Sequence, residues 1–135
     1  MSNLIQPSVC LRRALLADAI LSGVVGALMA LGANALQAPL GPSSSLLMLV
    51  GLGFMPYVAY LVWLATRPTV PRAAVRVPIV MNGVGAIECG AVLFGDTMSP
   101  TLLGEAQIGV QIAAVLLFAE PEFIGLKRAC AIVPA

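Results

Sequence analysis

No histidine occurs among the 135 residues, so the chain has no imidazole to act as a general base, a haem ligand or a metal ligand. Charge is scarce too: charged residues make up 10% of the chain, against roughly 25% in soluble domains. Aromatic residues are only 5%, with a single tryptophan, Trp63. The three cysteines, Cys10, Cys89 and Cys130, are far apart and form no CxxC pair, and are expected as free thiols. No glycine-rich phosphate loop follows a strand pattern, and the few bases read as topology signals and lipid contacts rather than as a nucleic-acid surface. These absences speak against an enzyme, a resident metal or cofactor, and a nucleic-acid partner.

What the chain has in abundance is apolar sequence. It is 60% hydrophobic, with a mean hydropathy of +1.02, which belongs to a membrane protein. Four apolar stretches, about 14–36, 46–64, 77–94 and 102–119, are each near the ~20 residues that a helix needs to cross ~30 Å of hydrocarbon. The last would extend to 126 if the segment beyond it stays helical. They show neither period-2 alternation nor the ~10-residue segments of a membrane barrel. The connections are short and rich in Pro, Gly and Ser, so neighbouring helices are expected to be hairpins. The expected fold is all-α: residues 1–135 as one transmembrane four-helix bundle with antiparallel, up-down topology.

Arg12-Arg13 before an apolar run, and Ala33-Asn34-Ala35 after it, imitate a secretory signal and its cleavage site. Asp18 inside that run, and a length beyond the usual 7–15 residues, instead predict a retained span. The bases Arg12 and Arg13 precede the first span. Arg67, Arg72 and Arg76 lie between the second and third, and Lys127 and Arg128 follow the fourth. In a four-span chain those segments share one side, whereas the other side, 37–45 and 95–101, carries Asp96 and no base. The positive-inside bias therefore predicts both termini in the cytoplasm, with Gly41 and Thr97 outside and Trp63 anchored at the cytoplasmic headgroups.

Polar residues within the spans are the candidate functional ones. Asp18 and Asn82 each follow an arginine by six residues, so both should lie roughly 6–9 Å inside the cytoplasmic boundary, a depth that Tyr57 and Tyr60 also reach. Glu88 should lie roughly 17 Å in, near the midplane, where Gln107 and Gln111 arrive from the other side on one helix face. A charge at the bilayer centre costs ~2.5–3.5 kcal/mol on insertion scales, so Glu88 is expected to face the bundle. There it would either donate, as the protonated acid, to Gln107 or Gln111 as interhelical glue, or act as a proton-coupling carboxyl. Asp18 is expected to pair with Arg12, Arg13 or Arg76. Its face continues through Ser22, Gly26 and Ala30, which permits close helix approach. Gly83, Gly85, Ala86 and Gly90 thin the third helix, which suits either a crossing contact, the expected use, or the wall of a pocket, and Pro56 is expected to kink the second. A 64-residue shift pairs Arg12 with Arg76, Asp18 with Asn82, Gly26 with Gly90 and Ala27 with Ala91, as a duplicated hairpin would.

At the carboxyl end, Phe118-Ala119-Glu120-Pro121-Glu122-Phe123-Ile124-Gly125-Leu126-Lys127-Arg128 predicts a surface salt-bridge network with Arg67, Arg72 and Arg76. Together with Leu11-Arg12-Arg13-Ala14-Leu15-Leu16-Ala17-Asp18 and Pro100-Thr101-Leu102-Leu103-Gly104, this segment resembles a group of small four-helix bacterial integral membrane proteins. The resemblance implies the fold and a bacterial inner membrane, and no activity. Three functions fit: first, an accessory or scaffolding subunit that packs with other transmembrane helices; second, a small oligomeric proton-coupled transporter or channel; third, a binder of lipid, quinone or another apolar ligand in a cleft lined by Tyr57, Tyr60 and Asn82.

Overall fold

The computed structural model describes residues 4–95 and 100–129. Asp96 and Thr97 of the expected outer loop, and Cys130, lie outside the described residues, while Cys10 is exposed and Cys89 half-buried, both free thiols.

Among the described residues five helices and a short ribbon follow one another: β1 (Leu4–Ile5), α1 (Val9–Leu31), α2 (Ala33–Leu40), α3 (Ser44–Thr66), β2 (Val70–Pro71), α4 (Arg72–Phe94) and α5 (Leu102–Arg128). Helices α1, α3, α4 and α5 are long and apolar enough to cross a membrane. Even the 23-residue helices extend about 35 Å at ~1.5 Å per residue, beyond the hydrocarbon core. All four outrun their hydropathy-defined stretches at the arginine-bearing end: α1 begins at Val9, α3 ends at Thr66, α4 begins at Arg72 and α5 continues to Arg128. Side-chain caps set three of the starts. Ser8, Ser43 and Thr101 hydroxyls accept from the backbone N–H groups of Leu11, Leu46 and Gly104, satisfying donors that a helix start leaves free. The first apolar stretch is not one helix to residue 36. It breaks at Gly32, whose N–H closes α1 on the Leu28 carbonyl at 2.8 Å, and resumes as α2.

Helix α1 packs most closely on α3, and α4 on α5, with α1 bridging to α5. Glycine makes the α1–α3 contact possible. A Cβ on Gly51 would stand 2.5 Å from the Ala30 nitrogen, and one on Gly26 would stand 2.6 Å from the Phe54 Cβ. The stripe through Ser22, Gly26 and Ala30 is thus a close-packing face. Gly125 likewise receives Leu11. In contrast, α3 and α4 scarcely touch, so the ring of helices is open on that side.

Both ends are tied. At one, β1 pairs antiparallel with β2 (Leu4 with Pro71, Ile5 with Val70), and Ile5, Leu11, Leu15, Leu61, Leu64, Val70 and Val75 form a fully buried core. The Arg12 guanidinium donates to the carbonyls of Ala65 (3.3 Å) and Arg67 (2.9 Å), and Arg72 donates to that of Leu126 (3.4 Å). Each arginine at the start of one helix therefore serves carbonyls near the end of another, where intrahelical donors run out. At the opposite end, α2 packs Ala33 and Leu40 on Leu47. It meets the start of α5 through Thr101, whose N–H donates to the Leu40 carbonyl at 3.2 Å and whose hydroxyl donates to that of Pro39. Elsewhere large apolar side chains point outward, among them Ile20, Leu49, Ile87 and Leu117.

Candidate functional site

Because the ring is open between α3 and α4 and held at both ends, it encloses a cleft of about 640 Å³ along the bundle. Val25, Met29, Val50, Phe54, Val84 and Ile108 are among its apolar walls. Glycines flank the opening: Gly53 and Gly85 line the cleft, and neither has anything within 4 Å of where a Cβ would stand. Gly83 and Gly90 are equally uncrowded. Of the two uses expected for these α4 glycines, the crossing contact is therefore corrected, because α4 takes its support from α5, while Gly85 serves as pocket wall.

Asp18, Ser22, Tyr57 and Asn82 close the cleft at the end nearer the ribbon. Asp18 is the hub. Its Oδ1 accepts from the Ser22 hydroxyl at 3.0 Å, one turn along α1, and its Oδ2 accepts from the Tyr57 hydroxyl at 2.9 Å and the Asn82 amide at 3.3 Å. Tyr57 Oη also lies 3.2 Å from Asn82 Oδ1, and its one proton serves either acceptor in turn. The expected ion pair of Asp18 with an arginine is corrected. Arg12 is committed to backbone carbonyls, Arg76 is exposed, and all of the partners of Asp18 are neutral.

Behind Asn82 lies a residue that sequence reading placed wrongly. Glu122 is 0% exposed, and its Oε2 accepts from the same Asn82 amide nitrogen at 3.4 Å, while its Oε1 is buried with no partner. The expected surface salt-bridge network does not include it, because it is buried and its hydrogen-bond partner is Asn82. Lys127 instead sits 4.5 Å above the Phe123 ring, and Arg67 5.6 Å above that of Trp63. The reason is that α5 continues as one helix through Pro121. Glu122 thereby joins the face of Gln111, Phe118 and Leu126, turned inward, while Glu120 faces out. That spacing was visible in the sequence, but the acidic, proline-bearing composition masked it.

Glu88, Gln107 and Gln111 all line the cleft at mid-length. They do not form the expected bond, since Gln107 donates to Gln111 at 3.4 Å and Glu88 remains exposed to the cleft. Tyr60 is drawn away from the floor and donates to the Ala74 carbonyl at 2.9 Å, with its ring stacked on Trp63. Of the sequence candidates, the fold brings Asp18, Asn82 and Tyr57 into contact and places Glu88, Gln107 and Gln111 along the same cleft. Among the described residues no group of three or more His, Cys, Asp or Glu side chains is arranged to hold a metal ion. Compared with models of protein families, with curated proteins and with solved structures, the chain matches none of them.

Proposed function

We propose that the chain is a non-enzymatic binding protein for an amphiphilic molecule that enters from the bilayer between α3 and α4. The observation that carries this reading is the cleft of about 640 Å³, apolar along its walls and polar at one end. Drug-sized ligands occupy clefts of roughly 300–1,000 Å³ with mostly apolar linings and a few convergent polar groups. A side opening suits a ligand dissolved in lipid, because its tail need never cross water. In this reading the membrane is the bacterial inner membrane that the sequence resemblance implies, and the positive-inside bias makes the ribbon end and both termini cytoplasmic, so the polar floor is the cytoplasmic one. This reading favours a ligand binder over an accessory subunit, because packing alone gives no reason to enclose polar groups inside a cleft.

Native mass spectrometry of the protein released from lipid nanodiscs tests it. A small amphiphile should remain bound in stoichiometric amount, and Gly85→Leu, which fills the cleft from an uncrowded position, should expel it while the bundle still melts normally. Two results would count against the proposal: a bare chain in both preparations, or a second polypeptide held where the amphiphile is expected.

A further inference from the structure

The polar floor of the cleft is unbalanced in a way that restricts its ligand. Counting Asp18, Ser22, Tyr57 and Asn82 of the floor and Glu122 behind them, the two carboxyl groups carry four oxygens. Facing them are two hydroxyl protons and one amide group. The amide nitrogen is already stretched between Asp18 at 3.3 Å and Glu122 at 3.4 Å. Glu122 Oε1 accepts nothing, and Asp18 Oδ1 accepts only from Ser22. Farther along the wall Glu88 adds a third carboxyl.

Among the described residues no base compensates them. Neither lysine nor arginine lines the cleft. Arg12 and Arg72 are engaged with backbone carbonyls, and Arg67 and Lys127 lie over aromatic rings. Arg13 faces the groove between α1 and α5 on the outside of the bundle, and Arg76 and Arg128 are exposed. Buried carboxylates are stable only when paired or protonated, and this site can accept hydrogen bonds far more readily than it can donate them.

Resting on the cleft reading above, we propose that the ligand is a single-tailed lipophilic amine, bound as its cation. Its ammonium group donates to Asp18 at the floor, and its tail lies along the apolar walls. Three features select this class. An ammonium brings both a charge and several donors to an acceptor-rich floor. An anionic headgroup would meet Asp18 and Glu88 with like charge, and a quinone carbonyl would bring one more acceptor. The cleft is drug-sized, which suits one tail rather than the two of a phospholipid. Glu122, separated from the cleft by Asn82, is a positioning residue: its Oε2 accepts from the Asn82 amide and so holds that amide between the two acids.

The test uses the full chain immobilised in detergent micelles at pH 7, with empty micelles as the blank. Tritiated dodecylamine, an ammonium ion at that pH as lysine is, is compared with tritiated dodecanol, which has the same tail and no charge. Dodecylamine should bind at least about tenfold more tightly, the factor that one charged hydrogen bond supplies. Asp18→Asn, which keeps an acceptor for Tyr57, should bring the amine close to the alcohol. Glu88→Gln, which removes the third carboxyl of the cleft at an exposed position, should weaken the amine preference by a smaller factor, and it keeps the proposal testable if Asp18→Asn does not fold. Equal binding of both ligands, or an amine preference untouched by both variants, would overturn the cationic assignment while leaving the cleft reading in place. Saturable binding of neither would overturn both.

Discussion

Asn82 has more demands on it than it can meet equally well. Its amide group serves two acids at 3.3 and 3.4 Å, both long for N–H···O bonds, while its oxygen sits 3.2 Å from a tyrosine hydroxyl. Removing Asp18 would strand the three donors that converge on it. We expect Asp18→Leu to destabilise the bundle by about 1–3 kcal/mol through the unpaired groups left behind, whereas Asp18→Asn should stay within about 1 kcal/mol, as read by thermal unfolding in detergent. Equal tolerance of both would mean that Asp18 is not the hub. For Glu122, glutamine retains an acceptor for Asn82 and removes a buried carboxyl, so Glu122→Gln should be no less stable than the parent chain. Glu122→Lys would bury an unmatched long cation and should unfold first in the same scan. Most of this cluster was legible in the sequence, because Asp18, Tyr57 and Asn82 are polar residues inside apolar runs at one depth. Glu122 was not, since hydropathy averages a segment and cannot tell an acid turned inward from its neighbour Glu120 turned outward. Glu88 shows the converse: its depth was readable, but its surroundings depend on which helices fail to meet.

At the scale of the helices, glycine has two opposite meanings that composition alone does not separate. Gly51 lies against the backbone of Ala30, so even Gly51→Ala must push α1 and α3 apart. Overpacking of this kind costs about 1–3 kcal/mol, and the cost should appear as a lowered melting temperature. Gly83 has open space where its Cβ would go, so Gly83→Ala should be neutral or stabilising by up to about 1 kcal/mol, the usual helix-propensity difference. If both substitutions destabilised equally, α4 would be packed where the structure leaves it free. The stripe through Ser22, Gly26 and Ala30 was readable as a contact because it keeps helical spacing. The glycines of α4 gave the same signal, and only the pairing of α4 with α5 distinguishes them. The break at Gly32 escaped notice because the residues beyond it remain apolar enough to continue the span, although the chain ends one helix there and starts another.

For the whole molecule, charge and contacts divide the bundle the same way. Arg12, Arg67, Arg72, Lys127 and Arg128 lie at the end closed by β1 and β2, while the end formed by α2 and the start of α5 is held by Thr101, Pro39 and Leu40, none of them charged. Four spans and the positive-inside bias then predict that the ribbon end is cytoplasmic and that the α2 end faces the other side. Gly41 is the informative position. It follows α2, has a positive φ of 102°, and is an exposed residue in the short connection to α3. A cysteine introduced at neighbouring Pro42, in a background with Cys10, Cys89 and Cys130 replaced, should react with a membrane-impermeant maleimide added to intact cells. A cysteine at Ser8, just before α1, should react only after the membrane is opened. Labelling of Ser8→Cys from outside would invert the molecule and place the acidic floor at the outer leaflet. The cleft would keep its shape, but a ligand reaching Asp18 would then approach from the opposite face of the bilayer.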